Sequence, residues 1–139
     1  MDLTAFLNPI KEENKKVVVS KRFVDAEGKP IKWEIRAITA EEDEALRKSC
    51  TRKVQVPGKK GQFTQEIDTN EYLGLLAVTC TVFPNLNDAE LQNAYGVMGA
   101  DALLKKMLNA GEYTSFLANI QEMNGFDTSM DELVDEAKN

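Results

Sequence analysis

Apolar residues follow two different periods along this chain, and the change of period near residue 68 divides it into two parts. Over residues 31–38 they alternate strictly, at Ile31, Trp33, Ile35 and Ala37, the signature of a strand with one face on a core. The preceding run, residues 17–24, is rich in β-branched side chains. Asp25-Ala26-Glu27-Gly28 between them supplies turn formers, with a glycine where positive φ is cheap. The two runs are predicted to pair as an antiparallel hairpin, entered through an exposed polar lead-in at residues 11–16. Residues 53–56 and 62–67 flank Pro57-Gly58-Lys59-Lys60-Gly61 and predict a second, more exposed hairpin. Between the hairpins, Thr39-Ala40-Glu41-Glu42 spells a capping box, so a helix is predicted from there to about Cys50.

From Asp68 the spacing becomes three and four. Asp68-Thr69-Asn70-Glu71 supplies capping residues for a helix that carries Tyr72, Leu75, Leu76, Thr79 and Cys80 on one face and runs toward Pro84. Asn87 or Asp88 caps a short helix through Tyr95, stopped by Gly96. Residues 99–109 predict another, with Leu103, Leu104, Met107 and Leu108 apolar and Gly111 punctuating its end. Tyr113, Phe116, Leu117, Ile120 and Met123 then trace a further stripe, closed by Asn124-Gly125 in a left-handed cap. The expected fold is α+β, with N-terminal antiparallel β-hairpins followed by a helical C-terminal half. It is expected to form a single domain over 1–139, strand-rich over about 15–67, helical over about 68–125, with an acidic terminal segment at 126–139.

Composition narrows the functions open to such a fold. The 139 residues are 42% hydrophobic and 29% charged, enough to build one core and unlike a disordered chain. The longest apolar run, residues 72–82, is interrupted by Gly74, Thr79 and Thr81 and is too short for a bilayer helix. The first nine residues lack the basic flank of a signal peptide, so a cytoplasmic location is expected. Histidine is absent, which removes the commonest general base and metal ligand. Cys50 and Cys80 sit in amphipathic segments and read as small buried hydrophobes, not as a zinc or nucleophile pair. Gly96-Val97-Met98-Gly99 lacks the third glycine of a dinucleotide loop, and no Walker lysine appears. No catalytic constellation, cofactor site or metal site is therefore expected.

Charge is lopsided: residues 1–60 hold 14 basic and 10 acidic residues, whereas residues 61–139 hold 3 and 13. An acidic chain gains little from phosphate counterion release, so nucleic acid is not an expected partner. Four of the five methionines, Met98, Met107, Met123 and Met130, fall late and are interleaved with Tyr95, Tyr113, Phe116 and Phe126. Methionine fills cores, and it also forms surfaces that adapt to partners.

The run from Tyr72 through Pro84 and Tyr95 to Ala100, continuing into Leu103-Leu104-Lys105-Lys106-Met107-Leu108 and Gly111-Glu112-Tyr113, resembles the XkdN-like tail assembly chaperones of Bacillus-type prophages. Phe6-Leu7-Asn8-Pro9, Trp33-Glu34-Ile35-Arg36-Ala37-Ile38-Thr39 and Glu44-Ala45-Leu46-Arg47-Lys48 extend the likeness over nearly the whole chain. The resemblance implies a small non-enzymatic protein made in the host cell. It would engage the tape measure protein, and secondarily the tail tube protein, while the tube polymerises, and be absent from the finished tail. Self-association is a further option, and a structural tail or connector protein is the alternative reading. An apolar groove with Tyr95, Met98, Met107, Tyr113 and Met123 as adaptable contacts is expected to receive the partner's helix. Ala137-Lys138-Asn139 can be encoded by a slippery heptamer, so a frameshifted longer form accompanies the resemblance as an expectation.

Overall fold

Local capping sets most of the element boundaries in the computed structural model, which describes residues 2–126. The elements are α1 (Thr4–Leu7), β1 (Lys15–Val17), β2 (Trp33–Ile35), α2 (Ala40–Ser49), β3 (Thr51–Gln55), β4 (Phe63–Ile67), α3 (Thr69–Cys80), β5 (Thr81–Phe83), α4 (Ala89–Ala94), α5 (Ala100–Met107) and α6 (Ala110–Met123). The acidic segment expected from residue 126 onward lies, apart from Phe126, outside the described residues.

Helix α2 begins at the expected capping box. Thr39 Oγ1 accepts from the Glu42 amide at 3.1 Å, and Glu42 Oε1 accepts from the Thr39 amide at 3.1 Å, which satisfies two amides the helix itself leaves unpaired. Asp68 caps α3 by accepting from the Glu71 amide at 3.1 Å. Asp88 caps α4 in the same way through the Leu91 amide at 2.9 Å. Helix α6 ends where Asn124 is followed by Gly125 at φ 77°, the backbone region that glycine enters without a Cβ penalty.

The strands form two sheets. One has the order β1-β2-β5, antiparallel throughout, and the other is the β3-β4 hairpin. In the first sheet Lys15 faces Ile35 and Val17 faces Trp33. The long first hairpin predicted from residues 17–24 and 31–38 is thus corrected. Of the predicted arm 17–24 only Val17 pairs in the sheet, joined by Lys15 and Lys16 of the expected lead-in, and the chain then leaves the sheet and turns through an isolated Val24–Pro30 bridge. Burial explains the departure, because Val19 and Ser20 tuck into the interior and Arg22 is drawn to α6.

Strand β5 departs from the expected run of α3 toward Pro84. Instead α3 stops at Cys80, Cys80 O accepts from the Arg36 amide at 2.8 Å, and Thr81 and Phe83 pair with Ile35 and Glu34. Gly111 was read as a stop but lies in the first turn of α6, which starts at a second capping box between Asn109 and Glu112.

The core joins both parts of the chain. Trp33 and Ile35 point from one face of β2 toward Leu76, Ala77 and Cys80 of α3, Leu103 and Leu104 of α5, and Phe116 and Ile120 of α6, all of them 2% exposed or less. Trp33 meets Phe116 edge-on with ring centroids 5.4 Å apart, and Phe23 flanks it at 6.4 Å. Helix α3 is central, packing against α2, α5 and α6. The β3-β4 hairpin stands outside this core, with β4 exposed along its whole length. Its base is held by the Asp68 amide donating to Cys50 O at 2.9 Å and by Arg52, which donates to Glu71 at 2.8 Å.

Candidate partner interface

Residues 81–99 build an apolar and acidic face beside the core. Strand β5 is the edge of its sheet, so Val82 and Phe83 keep 42% and 52% of their surface. The loop after it is anchored by Leu86, which is buried. It leads into α4 through Asn85, whose Oδ1 accepts from the Asn87 amide at 3.0 Å. Gln92 then locks two loops at once. Its Nε2 donates to Leu86 O at 2.9 Å, and its Oε1 accepts from the Gly99 amide at 3.1 Å. The second loop turns at Gly96 and Gly99, both with positive φ, and presents Met98 at its tip, 93% exposed.

Between β5 and α4 lies an open groove of about 470 Å³ lined by Phe83, Asn85, Asp88, Glu90, Leu91 and Ala94. Its only charges are the carboxylates of Asp88 and Glu90, and residues 72–104 contain no lysine or arginine. An apolar floor under an acidic rim suits an apolar helix with basic neighbours.

The five residues expected to make one contact face are not equivalent. Met98 stands in solvent. Tyr95, at the C-cap of α4, is partly buried against the core, as is Met123 at the end of α6. Met107 is 6% exposed and belongs to the core itself. Tyr113 lines a separate cavity of about 250 Å³ with Asn70, Leu73, Lys105 and Leu117. A face that includes all five as surface contacts is not what this packing presents. The exposed side chains that sequence reasoning passed over are Val82 and Phe83, hidden by the assumption that α3 ran to Pro84.

Cys50 and Cys80 are buried free thiols, and burial pushes the Cys80 thiol up. Among the described residues no group of three or more His, Cys, Asp and Glu side chains could hold a metal, and no helix is long and apolar enough to cross a membrane. The perturbed carboxylates are structural. Hydrogen bonding to Arg36 holds Glu42 at about 2, and hydrogen bonding to Arg22 does the same for Glu112. Tyr72 is pushed to about 12 by burial first and by its hydrogen bond to Asp43 second.

Comparison with known proteins decides what this fold belongs to. The model of the phage XkdN-like tail assembly chaperone family matches residues 3–138. The chain belongs to that family. The uncharacterized protein YqbN of Bacillus subtilis strain 168 is 36% identical to this XkdN-like chain, covering 99% of it and 93% of YqbN. The phage-like element PBSX protein XkdN of the same strain is 33% identical, covering 99% of the chain and 94% of XkdN. A crystal structure of YqbN superposes with a TM-score of 0.77 at 32% identity, over 91% of this chain and 98% of that one. The tail assembly role of this XkdN-like chain, its prophage relatives and its α+β architecture thus agree.

Proposed function

We propose that this tail assembly chaperone works in the host cytoplasm without catalysis, by holding an apolar helix of the tape measure protein in the groove between β5 and α4 until the tail tube covers it. The observation that carries this reading is the exposed Phe83 above an acidic rim, in a chain whose family is a tail assembly chaperone family. A long helical protein awaiting its tube exposes apolar stripes that self-associate. A groove with one apolar floor and few hydrogen-bond demands binds such a stripe and lets it go. Met98, 93% exposed on the loop after α4 and outside the residues that line the groove, offers an unbranched, polarizable contact beside it. Tyr95 and Met123 pack against the core, Met107 belongs to it, and Tyr113 lines a separate cavity, so these four act on the groove only through the fold. The finished tail then lacks the chaperone.

Co-purification with a tape measure protein of the same phage element is the test. Ala94→Arg and Met98→Glu change exposed side chains, so the fold is expected to persist by circular dichroism. Each is expected to reduce capture at least about tenfold, the effect of losing roughly 1.4 kcal/mol at an anchor position. Undiminished capture by both variants overturns the site. Stoichiometric recovery of the chain from purified particles by mass spectrometry overturns the chaperone role in favour of a retained tail component.

A further inference from the structure

The β3-β4 hairpin turns one open face away from the core. Thr51 pairs with Ile67, Lys53 with Gln65 and Gln55 with Phe63, and strand alternation places these side chains on one side of the ribbon. Thr51 links that side to α2, donating from Oγ1 to Arg47 O at 2.7 Å. The other side holds Glu66 opposite Arg52, which is paired with Glu71. On the open side Phe63 and Ile67 keep 53% and 41% of their surface, and the Lys53 ammonium lies 5.2 Å from the Phe63 ring centroid. Lys59 and Lys60 carry positive charge on to the tip. Residues 51–65 thus hold four cations, Arg52, Lys53, Lys59 and Lys60, and no acid. Among the described residues these three lysines enter no ion pair. A two-stranded ribbon with an uncovered apolar and cationic face is marginal by itself.

We infer that residues 127–139 of the same chain dock on this open face. The inference stands apart from the groove between β5 and α4. Opposite charge carries it first: the segment has five acids, Asp127, Asp131, Glu132, Asp135 and Glu136, against Lys138 alone, a balance of −4 facing the +4 of residues 51–65. Apolar content matches as well, since Met130, Leu133 and Val134 recur at a spacing of three and four, and Phe63 and Ile67 await cover. Reach carries it next. Phe126 lines a cavity of about 230 Å³ with Ile38, Thr39, Ala40 and Asp43, at the start of α2. The ten residues of α2 span about 15 Å from there toward β3, and the segment's thirteen residues extend up to about 43 Å. The first turn of α2 bears Glu41, Glu42 and Asp43, charges of the segment's own sign, so the hairpin beyond that helix is the cationic seat within reach. Because the chain itself tethers the segment, a contact too weak between separate molecules forms readily within one.

A nitroxide label on the full chain at Ser129→Cys tests this by nuclear magnetic resonance. Cys50 and Cys80 are buried and leave the new thiol to take the label. The amide signals of residues 51–67 are expected to broaden at about 0.01 M salt. The broadening is expected to weaken toward about 1 M, as the screening length falls from roughly 30 Å to roughly 3 Å. Lys53→Glu/Lys59→Glu/Lys60→Glu is expected to abolish it. The charge-matched Lys15→Glu/Lys16→Glu/Lys21→Glu is expected to retain it. Both sets alter exposed side chains, and unchanged circular dichroism verifies their fold. A mixture of labelled chain with label-free, isotope-enriched chain identifies the source, and its hairpin signals are expected to stay sharp. Equal broadening in that mixture makes a second copy the occupant and overturns the inference. A labelled chain that broadens none of residues 51–67 also overturns it and leaves the hairpin to a different protein. Broadening indifferent to salt or to the hairpin lysines overturns it too. Capture of the tape measure protein is a separate reading, and none of these outcomes alters it.

Discussion

Arg22 donates from Nη2 to Glu112 Oε1 at 2.5 Å and to the Met107 carbonyl at 2.8 Å, so the excursion between β1 and β2 is fastened to the junction of α5 and α6. The guanidinium also lies over the Phe23 ring at 5.2 Å. Replacing Arg22 with alanine is expected to lower the thermal midpoint and to speed amide exchange in residues 18–23 before it does so in α3. Calorimetry and hydrogen exchange check this. Equal acceleration in both segments means the arginine is not a local fastener.

Acid should loosen the same fastening. Glu112 and Glu42 titrate at about 2 in the folded chain against an ordinary 4.5, mainly because Arg22 and Arg36 donate hydrogen bonds to them. A depressed folded-state value means the carboxylates contribute fully above 4.5 and lose that contribution as the pH falls toward 2. The thermal midpoint is therefore expected to decline over that window. Glu42→Gln/Glu112→Gln is expected to flatten the decline, and an unchanged slope in this variant would show that other carboxylates control it.

Asn124 joins α6, α3 and the connection between β2 and α2. Its Oδ1 accepts from the Ile38 amide at 2.9 Å, and its Nδ2 donates to Ile120 O at 2.8 Å and lies 3.4 Å from Cys80 Sγ. Asn124→Ala leaves the Ile38 amide without its acceptor in a partly buried site, a loss of roughly 1–3 kcal/mol. Urea denaturation measures it, and a change within error of zero would show that water replaces the side chain.

Gly74 sits inside α3, where an added Cβ would lie 3.5 Å from the Lys105 ammonium and the Tyr113 hydroxyl. That is ordinary contact distance, and alanine is favoured over glycine in a helix interior by about 0.8–1.0 kcal/mol. Gly74→Ala is expected to stabilise the chain by up to that amount in the same denaturation experiment. Destabilisation would mean that Lys105 and Tyr113 cannot keep their places.

The sequence showed most clearly the features that depend on neighbouring residues alone. Thr39 with Glu42 announced α2, Asp68 and Asp88 announced α3 and α4, and both expected turns formed. The capping box of Asn109 and Glu112 was equally visible in the residues, yet the glycine between them drew the wrong reading. Strand β5 was different in kind. Thr81-Val82-Phe83 continues an apolar run that suits a helix as well, and pairing with Glu34 and Ile35, distant in sequence, decides it. The site followed the same rule. Methionines and aromatics could be located by type, but whether Met107 or Phe83 reaches solvent depends on packing that no local pattern encodes.

The single tryptophan gives the molecule an internal gauge. Trp33 is 2% exposed, enclosed by Phe23 and Phe116 and attached to the strand next to β5. Its emission therefore follows the integrity of the interior, away from the exposed side chains proposed to meet a partner. A spectrum that holds its blue position while capture disappears identifies a damaged surface, and a red shift identifies a lost fold.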